Sequence, residues 1–232
     1  MKTIGVLGGM SWESSLEWYR LANERVRALR GGHHSARILL DSLDFADIEA
    51  MQARDDWDAA AGLLAARARA LQTAGAELLV LATNTMHLVA DRIAAAVDIP
   101  FLHIADATAA AVTDAGLGRV GLLGTAFTME RPFYTERLAA HGIEILVPEA
   151  DDRRVVHAVI YDELVHGIIR DESRRRFVEV IDRLVARGAD GVILGCTEIE
   201  LLVSAADTSV PVFPTTALHV EAAVAAAMGP TR

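Results

Sequence analysis

Ile4-Gly5-Val6-Leu7-Gly8-Gly9 and Val120-Gly121-Leu122-Leu123-Gly124-Thr125 are two versions of one phrase, and their equivalence decides the fold. Each is a short apolar run that closes on glycine and small residues, the pattern of a buried strand stopping at a tight turn. Outward from this pair, Leu71 to Thr83 with Gly75-Ala76 inside parallels Leu184 to Cys196 with Gly188-Ala189 inside. Ile99-Pro100-Phe101 then parallels Val210-Pro211-Val212. Three segments recurring in the same order mark a duplicated unit.

Between these landmarks, β-branched or leucine-rich runs alternate with alanine-rich segments of helical period. Strands are expected at Thr3–Gly8, Arg37–Leu43 and Glu77–Ala82, with helices from about Glu13, over Asp56–Thr73 and near Met86–Val97. The rhythm resumes with strands at Arg119–Leu123, Ile143–Val147, Gly191–Gly195 and Val210–Phe213. Two helical stretches fall between Asp151 and Arg187, and a last one at Thr216–Ala227. Such alternation predicts an α/β fold of two similar parallel-sheet domains, with ligands beyond the carboxyl ends of the strands. A pseudo-twofold between the halves would set equivalent loops face to face across an interdomain cleft.

Composition narrows the function. The 232 residues are 52% hydrophobic and 23% charged, enough apolar surface for a packed core. A net charge of −10 provides no field for nucleic acid or anionic lipid. Lys2 is the only lysine, so neither a pyridoxal phosphate Schiff base nor a phosphate-loop lysine is expected. The single cysteine forms no internal disulfide, and Met1-Lys2-Thr3-Ile4 leads straight into a strand, so a cytoplasmic protein is expected. No apolar run approaches the roughly 18 residues of a membrane span.

The repeat makes Thr83 the counterpart of Cys196, both where a buried strand ends and a helix is about to begin. A lone cysteine there is ordinarily an inert core residue, but the matching Thr83-Asn84-Thr85 turns the reading toward a site. At a helix N-terminus, the dipole and free N–H groups are expected to favour thiolate over thiol. Asn84, Thr85 and Thr197 can hold a carboxylate by neutral donors, although such residues at helix starts also serve as ordinary caps. Gly8-Gly9-Met10-Ser11 and Gly124-Thr125 close the first strand of each half, where small residues let a ligand approach the backbone. A dinucleotide site would use Asp41 at the end of the second strand, but Gly5-Val-Leu-Gly8-Gly9 lacks the G-x-G-x-x-G spacing. His33-His34 reads as an exposed loop, and His87 and His103 as core; no metal-ligand spacing occurs.

Gly-Gly-Met-Ser at 8–11, Thr-Asn-Thr-Met-His at 83–87 and Gly-Cys-Thr-Glu at 195–198 resemble the motifs of the aspartate/glutamate racemases, the pyridoxal-phosphate-independent amino-acid racemases, over essentially the whole chain. The resemblance implies two α/β domains with the C-terminal helix packed back on the first. That gives 1–98 plus 214–232 as the first domain and 99–213 as the second. It also implies a homodimer, no cofactor, and an amino-acid carboxylate substrate, L-aspartate or L-glutamate.

In that family two cysteines flank the substrate α-carbon, one removing a proton and the other returning it. Here the second matches Cys196, while the first falls on Thr83. An ordinary thiol costs about 2 kcal/mol to ionise at pH 7, whereas an aliphatic hydroxyl as acidic as water would cost roughly 12 kcal/mol. Thr83 is thus expected to donate a proton but not to abstract one. The resemblance carries Met10, Gln52, Asn84, Thr85, Thr125 and Thr197 over as substrate contacts. Of the family's basic groups for the side-chain carboxylate, the first region offers Gln52 and Arg54, and Tyr161-Asp162-Glu163 lacks the lysine of aspartate-specific members. A one-cysteine decarboxylase or isomerase of the same superfamily, or a non-catalytic amino-acid-binding protein, are the alternative readings.

Overall fold

The computed structural model describes residues 1–229 and divides into two compact units. One comprises Met1–Ile104 together with the segment from His219 onward, the other Ala105–Leu218. The divisions thus fall a few residues beyond 98/99 and 213/214, at the start of one helix and inside another. Positions 230–232 of the expected first domain lie outside the described residues.

In the first unit, β1 (Ile4–Gly8) lies between β2 (Ile38–Ser42) and β3 (Leu78–Leu81), with β4 (Phe101–Leu102) beyond β3, all parallel. The alternation of side chains about the sheet plane sets which face each residue serves. Ile4, Val6, Leu78 and Val80 join Trp18, Ala22 and Val26 of α1 (Trp12–Arg30) in one buried cluster. That cluster also takes Val220, Ala223, Val224 and Ala227 from the last helix, which spans Thr215–Met228. Leu7, Leu79 and Leu81 point the other way, onto Ala60, Leu64 and Ala68 of the helix Trp57–Thr73. Burying each large aliphatic chain stabilises the fold by about 1.5–3 kcal/mol, so the two-sided burial of β1 and β3 is the main local driving force.

The second unit repeats the plan. Its strands β5 (Arg119–Gly124), β6 (Glu144–Leu146), β7 (Val192–Gly195) and β8 (Val212–Pro214) are parallel, in the order β6-β5-β7-β8. This is the β2-β1-β3-β4 order again, and the three sequence pairings fall on β1 with β5, β3 with β7, and β4 with β8. Leu123, Val192 and Leu194 pack on Val156, Val159 and Ile160 of the helix Ala150–Asp162 and on Phe177, Val180, Ile181 and Leu184 of the helix Asp171–Ala186.

The helices not foreseen are Phe45–Ala53, Ile104–Asp114, Ala126–Glu130 and Pro132–Ala139, none longer than eleven residues. In chain order α2 (Phe45–Ala53) and α3 (Trp57–Thr73) precede α4 (Ala90–Ala94), followed by α5 (Ile104–Asp114), α6 (Ala126–Glu130) and α7 (Pro132–Ala139). Then come α8 (Ala150–Asp162), α9 (Asp171–Ala186), α10 (Thr197–Leu202) and α11 (Thr215–Met228). The stretch expected as one helix over Met86–Val97 is instead a 3₁₀ turn, Thr85–Val89, followed by α4. Val89 leaves helical geometry at φ −111°, ψ 17°, which separates the two. No described helix is long and apolar enough to cross a membrane.

Candidate active site

The first unit builds its part from the ends of β1 and β3. Gly9 takes φ +85°, and a β-carbon there would collide with the Leu43 backbone, so only glycine closes this turn. The Gly9 N–H donates to Ser15 Oγ (2.7 Å), whose hydroxyl donates to the Ser11 carbonyl (3.0 Å), while Ser11 caps α1 by accepting from the Ser14 N–H (3.2 Å). Buried Met10 sits in this serine-braced turn and shares a core cluster with Met86.

Beyond β3, Thr83 is half-buried and Asn84 and Thr85 are buried. The Asn84 side chain does not cap the 3₁₀ turn that follows, so the simple capping account fails for it. Gln52, near the end of α2, is buried and donates from Nε2 to Met86 Sδ (3.1 Å), which brings it to the β3 turn. Its Oε1 is buried and has no hydrogen-bond partner among the described residues. Arg54 caps α2 and is exposed. Asp41, the rival ribose ligand, has both carboxylate oxygens on Arg67, at 2.6 and 2.7 Å. His33 and His34 are exposed, while His87 and His103 are buried, as the sequence indicated.

The second unit builds its part from the ends of β5 and β7, where Gly124 and Gly195 are register partners and Thr125 and Cys196 come next on each chain. Thr125 caps α6, its hydroxyl accepting from the Thr128 N–H (3.3 Å). Beside it His157 Nδ1 accepts from the Ala126 N–H (3.2 Å). Burial lowers the basicity of this imidazole, outweighing Glu130 and Asp162. Thr197 shares a hydrogen bond with Thr216 through their hydroxyls (2.7 Å), and the Thr216 N–H donates to Glu200 Oε1 (2.8 Å).

Cys196 is half-buried at the N-cap of α10, and its thiol donates to Glu198 Oε2 (2.9 Å). The expected thiolate is corrected here. Burial first, then the charge of Glu198 and its hydrogen bond, and last the charge of Glu200, push the thiol well above its ordinary range. The α10 helix is a six-residue segment with two acids in its first turn, so its dipole is set against full negative charges at close range.

The structure therefore gathers Met10, Gln52, Thr83, Asn84 and Thr85 at the strand ends of the first unit, and Thr125, Cys196 and Thr197 at those of the second. Glu198 was passed over, although it stands two residues after the cysteine; the signal was the acid inside Gly-Cys-Thr-Glu itself. Among the described residues no group of three or more His, Cys, Asp or Glu side chains is placed to hold a metal.

Known proteins with this arrangement agree on one family. The sequence profile of the Asp/Glu/hydantoin racemases matches residues 7–223. The structure of a candidate Asp/Glu racemase from Yersinia pestis is 53% identical and superposes with a TM-score of 0.93, covering 99% of this chain and all of that one. An aspartate racemase homologue from Pyrococcus horikoshii is 33% identical with a TM-score of 0.87, over 99% and 100% of the two chains. A glutamate racemase of Streptococcus sanguinis is 28% identical over 57% of this chain, and the match spans 49% of that enzyme's own length. Two like-ordered parallel sheets, a cysteine at the end of one third strand and a threonine at the end of the other thus have a common explanation: the chain belongs to the Asp/Glu/hydantoin racemase family.

Proposed function

We propose that this protein is a cofactor-independent amino-acid racemase acting on aspartate or glutamate, with Cys196 as the base toward the L-enantiomer and Thr83 as the opposite-face proton donor. The observation that carries this reading is the equivalence of β3 and β7, with Thr83 two residues and Cys196 one residue beyond matching strands. Asn84 and Thr85, and likewise Thr125 and Thr197, are the neutral donors proposed for substrate carboxylate. Gln52, whose buried acceptor oxygen has no partner among the described residues, suits the substrate ammonium better than a carboxylate.

The chemistry starts from a thiol. Moving its proton to Glu198 Oε2, 2.9 Å away, generates thiolate and a neutral carboxyl. From ordinary pKa values that transfer is uphill by about 6 kcal/mol. Burial raises the cost, and a bound ammonium beside the sulfur lowers it. The thiolate then takes the α-proton, and a proton reaches the other face of the resulting carbanion from the Thr83 hydroxyl; water reprotonates Thr83, and the Glu198 carboxyl gives its proton to the hydroxide so formed. The reverse direction asks Thr83 to act as base and is slow in each turnover, while the equilibrium constant between enantiomers stays at one.

We extend the proposal to a homodimer. Trp12, Leu16 and Tyr19 repeat along one side of α1 and are 62%, 57% and 48% exposed, an apolar stripe that a second copy would cover. A mass by sedimentation equal to one chain at micromolar concentration would count against it.

The deciding experiment follows α-proton loss from L- and D-aspartate and L- and D-glutamate in D₂O, before and after dialysis against EDTA and without pyridoxal phosphate. Ready exchange of an L-form in both conditions supports the proposal. Carbon dioxide release from a malonate without amino-acid exchange favours the decarboxylase, and saturable binding without turnover the binding protein.

A further inference from the structure

We infer that His87 and Glu200 are equivalent positioning residues, one per unit, which hold the turns bearing Thr83 and Cys196 by capping the helix that follows the neighbouring fourth strand. The kinetic part of the test rests on the proposed racemase activity; the geometry does not.

His87 stands four residues after Thr83, and Glu200 four residues after Cys196. Each stands in the first helical segment after its strand-end residue, His87 in the 3₁₀ turn Thr85–Val89 and Glu200 in α10. In the first unit His87 Nε2 accepts from the N–H of Ile104 (3.2 Å), the first residue of α5, which follows β4. In the second, Glu200 Oε1 accepts from the N–H of Thr216 (2.8 Å), in the first turn of α11, which follows β8. The first N–H groups of a helix have no partner within it, so each unit satisfies one with the residue four beyond its strand-end position.

The two latches use different chemistry for the same task. The Thr83 carbonyl can only accept, so His87 Nδ1, 2.7 Å from it, carries the proton and Nε2 is left as the acceptor for Ile104. This neutral imidazole ties the strand-end residue itself to the next helix. It is packed against His103, with ring centroids 4.4 Å apart, and against Phe101 of β4 at 5.8 Å. Glu200 is a carboxylate, favoured by the dipole at the N-terminus of α11. Two further bonds reinforce it, Thr197 with Thr216 at 2.7 Å and the Thr215 hydroxyl to the Leu194 carbonyl at 2.9 Å.

A displacement of 1 Å at a reacting group costs on the order of 100-fold in rate. Glu200→Ala should therefore lower the turnover of L-substrate exchange by about 10- to 100-fold with little change in KM, whereas Glu200→Gln, which keeps an acceptor oxygen, should stay within about threefold of the parent. Glu200→Asp keeps the charge but shortens the reach, and should fall between them. His87→Leu should lose exchange similarly, and His87→Gln, with one donor and one acceptor, should recover much of it.

Alkylation of Cys196 by iodoacetamide gives a readout that needs no turnover. At a pH where the rate has levelled off, Glu200→Ala should shift it at least about threefold, while Glu200→Gln and His87→Leu leave it near the parent value. Equal impairment in Glu200→Gln and Glu200→Ala, or an unchanged turnover and alkylation rate in a folded Glu200→Ala protein, would overturn the inference. Absence of α-proton exchange in the parent, with the alkylation pattern as described, would remove the racemase reading and leave the latch standing.

Discussion

The two units share a strand order and differ in what their strand ends carry. After β3 the first unit offers hydroxyls, an amide and a neutral imidazole; after β7 the second offers a thiol bonded to the Glu198 carboxylate, with Glu200 two residues further on. The difference teaches that the backbone geometry of a duplicated unit and its acid–base chemistry are separable. The turn beyond the third strand and the capped helix beyond the fourth persist in both, while the groups that ionise do not. The first unit keeps His219 uncharged by burial, and the second accepts negative charge beside its thiol.

The largest effect that can break this contrast is at the thiol. Cys196→Ala should lower L-substrate exchange by about 1,000-fold or more, the scale of a lost general base. Exchange within tenfold of the parent, measured by NMR in D₂O, would place the base elsewhere. Next comes the histidine core of the first unit. His219 is buried, donates from Nε2 to the Leu102 carbonyl (3.0 Å), and its pKa is lowered to about 4, mainly by burial. A depressed folded-state pKa contributes stability above the unfolded value near 6.5, which is lost as pH falls toward 4. Urea titrations at pH 7 and pH 4 should show this contribution falling by about 3 kcal/mol, and the pH-dependent loss should shrink by that amount in His219→Phe. Equal losses in both proteins would refute a buried neutral imidazole.

Smaller effects sharpen the comparison. Thr83→Cys makes the two strand ends alike, and D-substrate exchange should rise by about tenfold or more as a group that ionises near neutral pH replaces one that does not. No gain in a folded variant would sever Thr83 from the chemistry. Glu198→Gln removes the nearest charge from Cys196, so the thiol pKa should fall and alkylation at pH 8 should quicken by about threefold. If Glu198 also receives the thiol proton, L-substrate exchange should drop in the same variant. Faster exchange would make Glu198 only a brake on ionisation.

The sequence by itself determined the repeat, the parallel strands and the positions of Thr83 and Cys196. Burial on one or both faces of a strand imposes a local period that recurs wherever the unit recurs. Short helices such as α6 and α10 span too few turns for that period to register. Tertiary structure alone decided the state of the thiol, because ionisation follows the distance to charges and the depth of burial rather than chain spacing. It likewise decided that Gln52 reaches Met86, 34 positions away, and that Glu200 caps the helix bearing Thr216, 16 positions on. A hydrogen bond needs two groups within about 3 Å, and only the packing of strands and helices brings such distant residues that close.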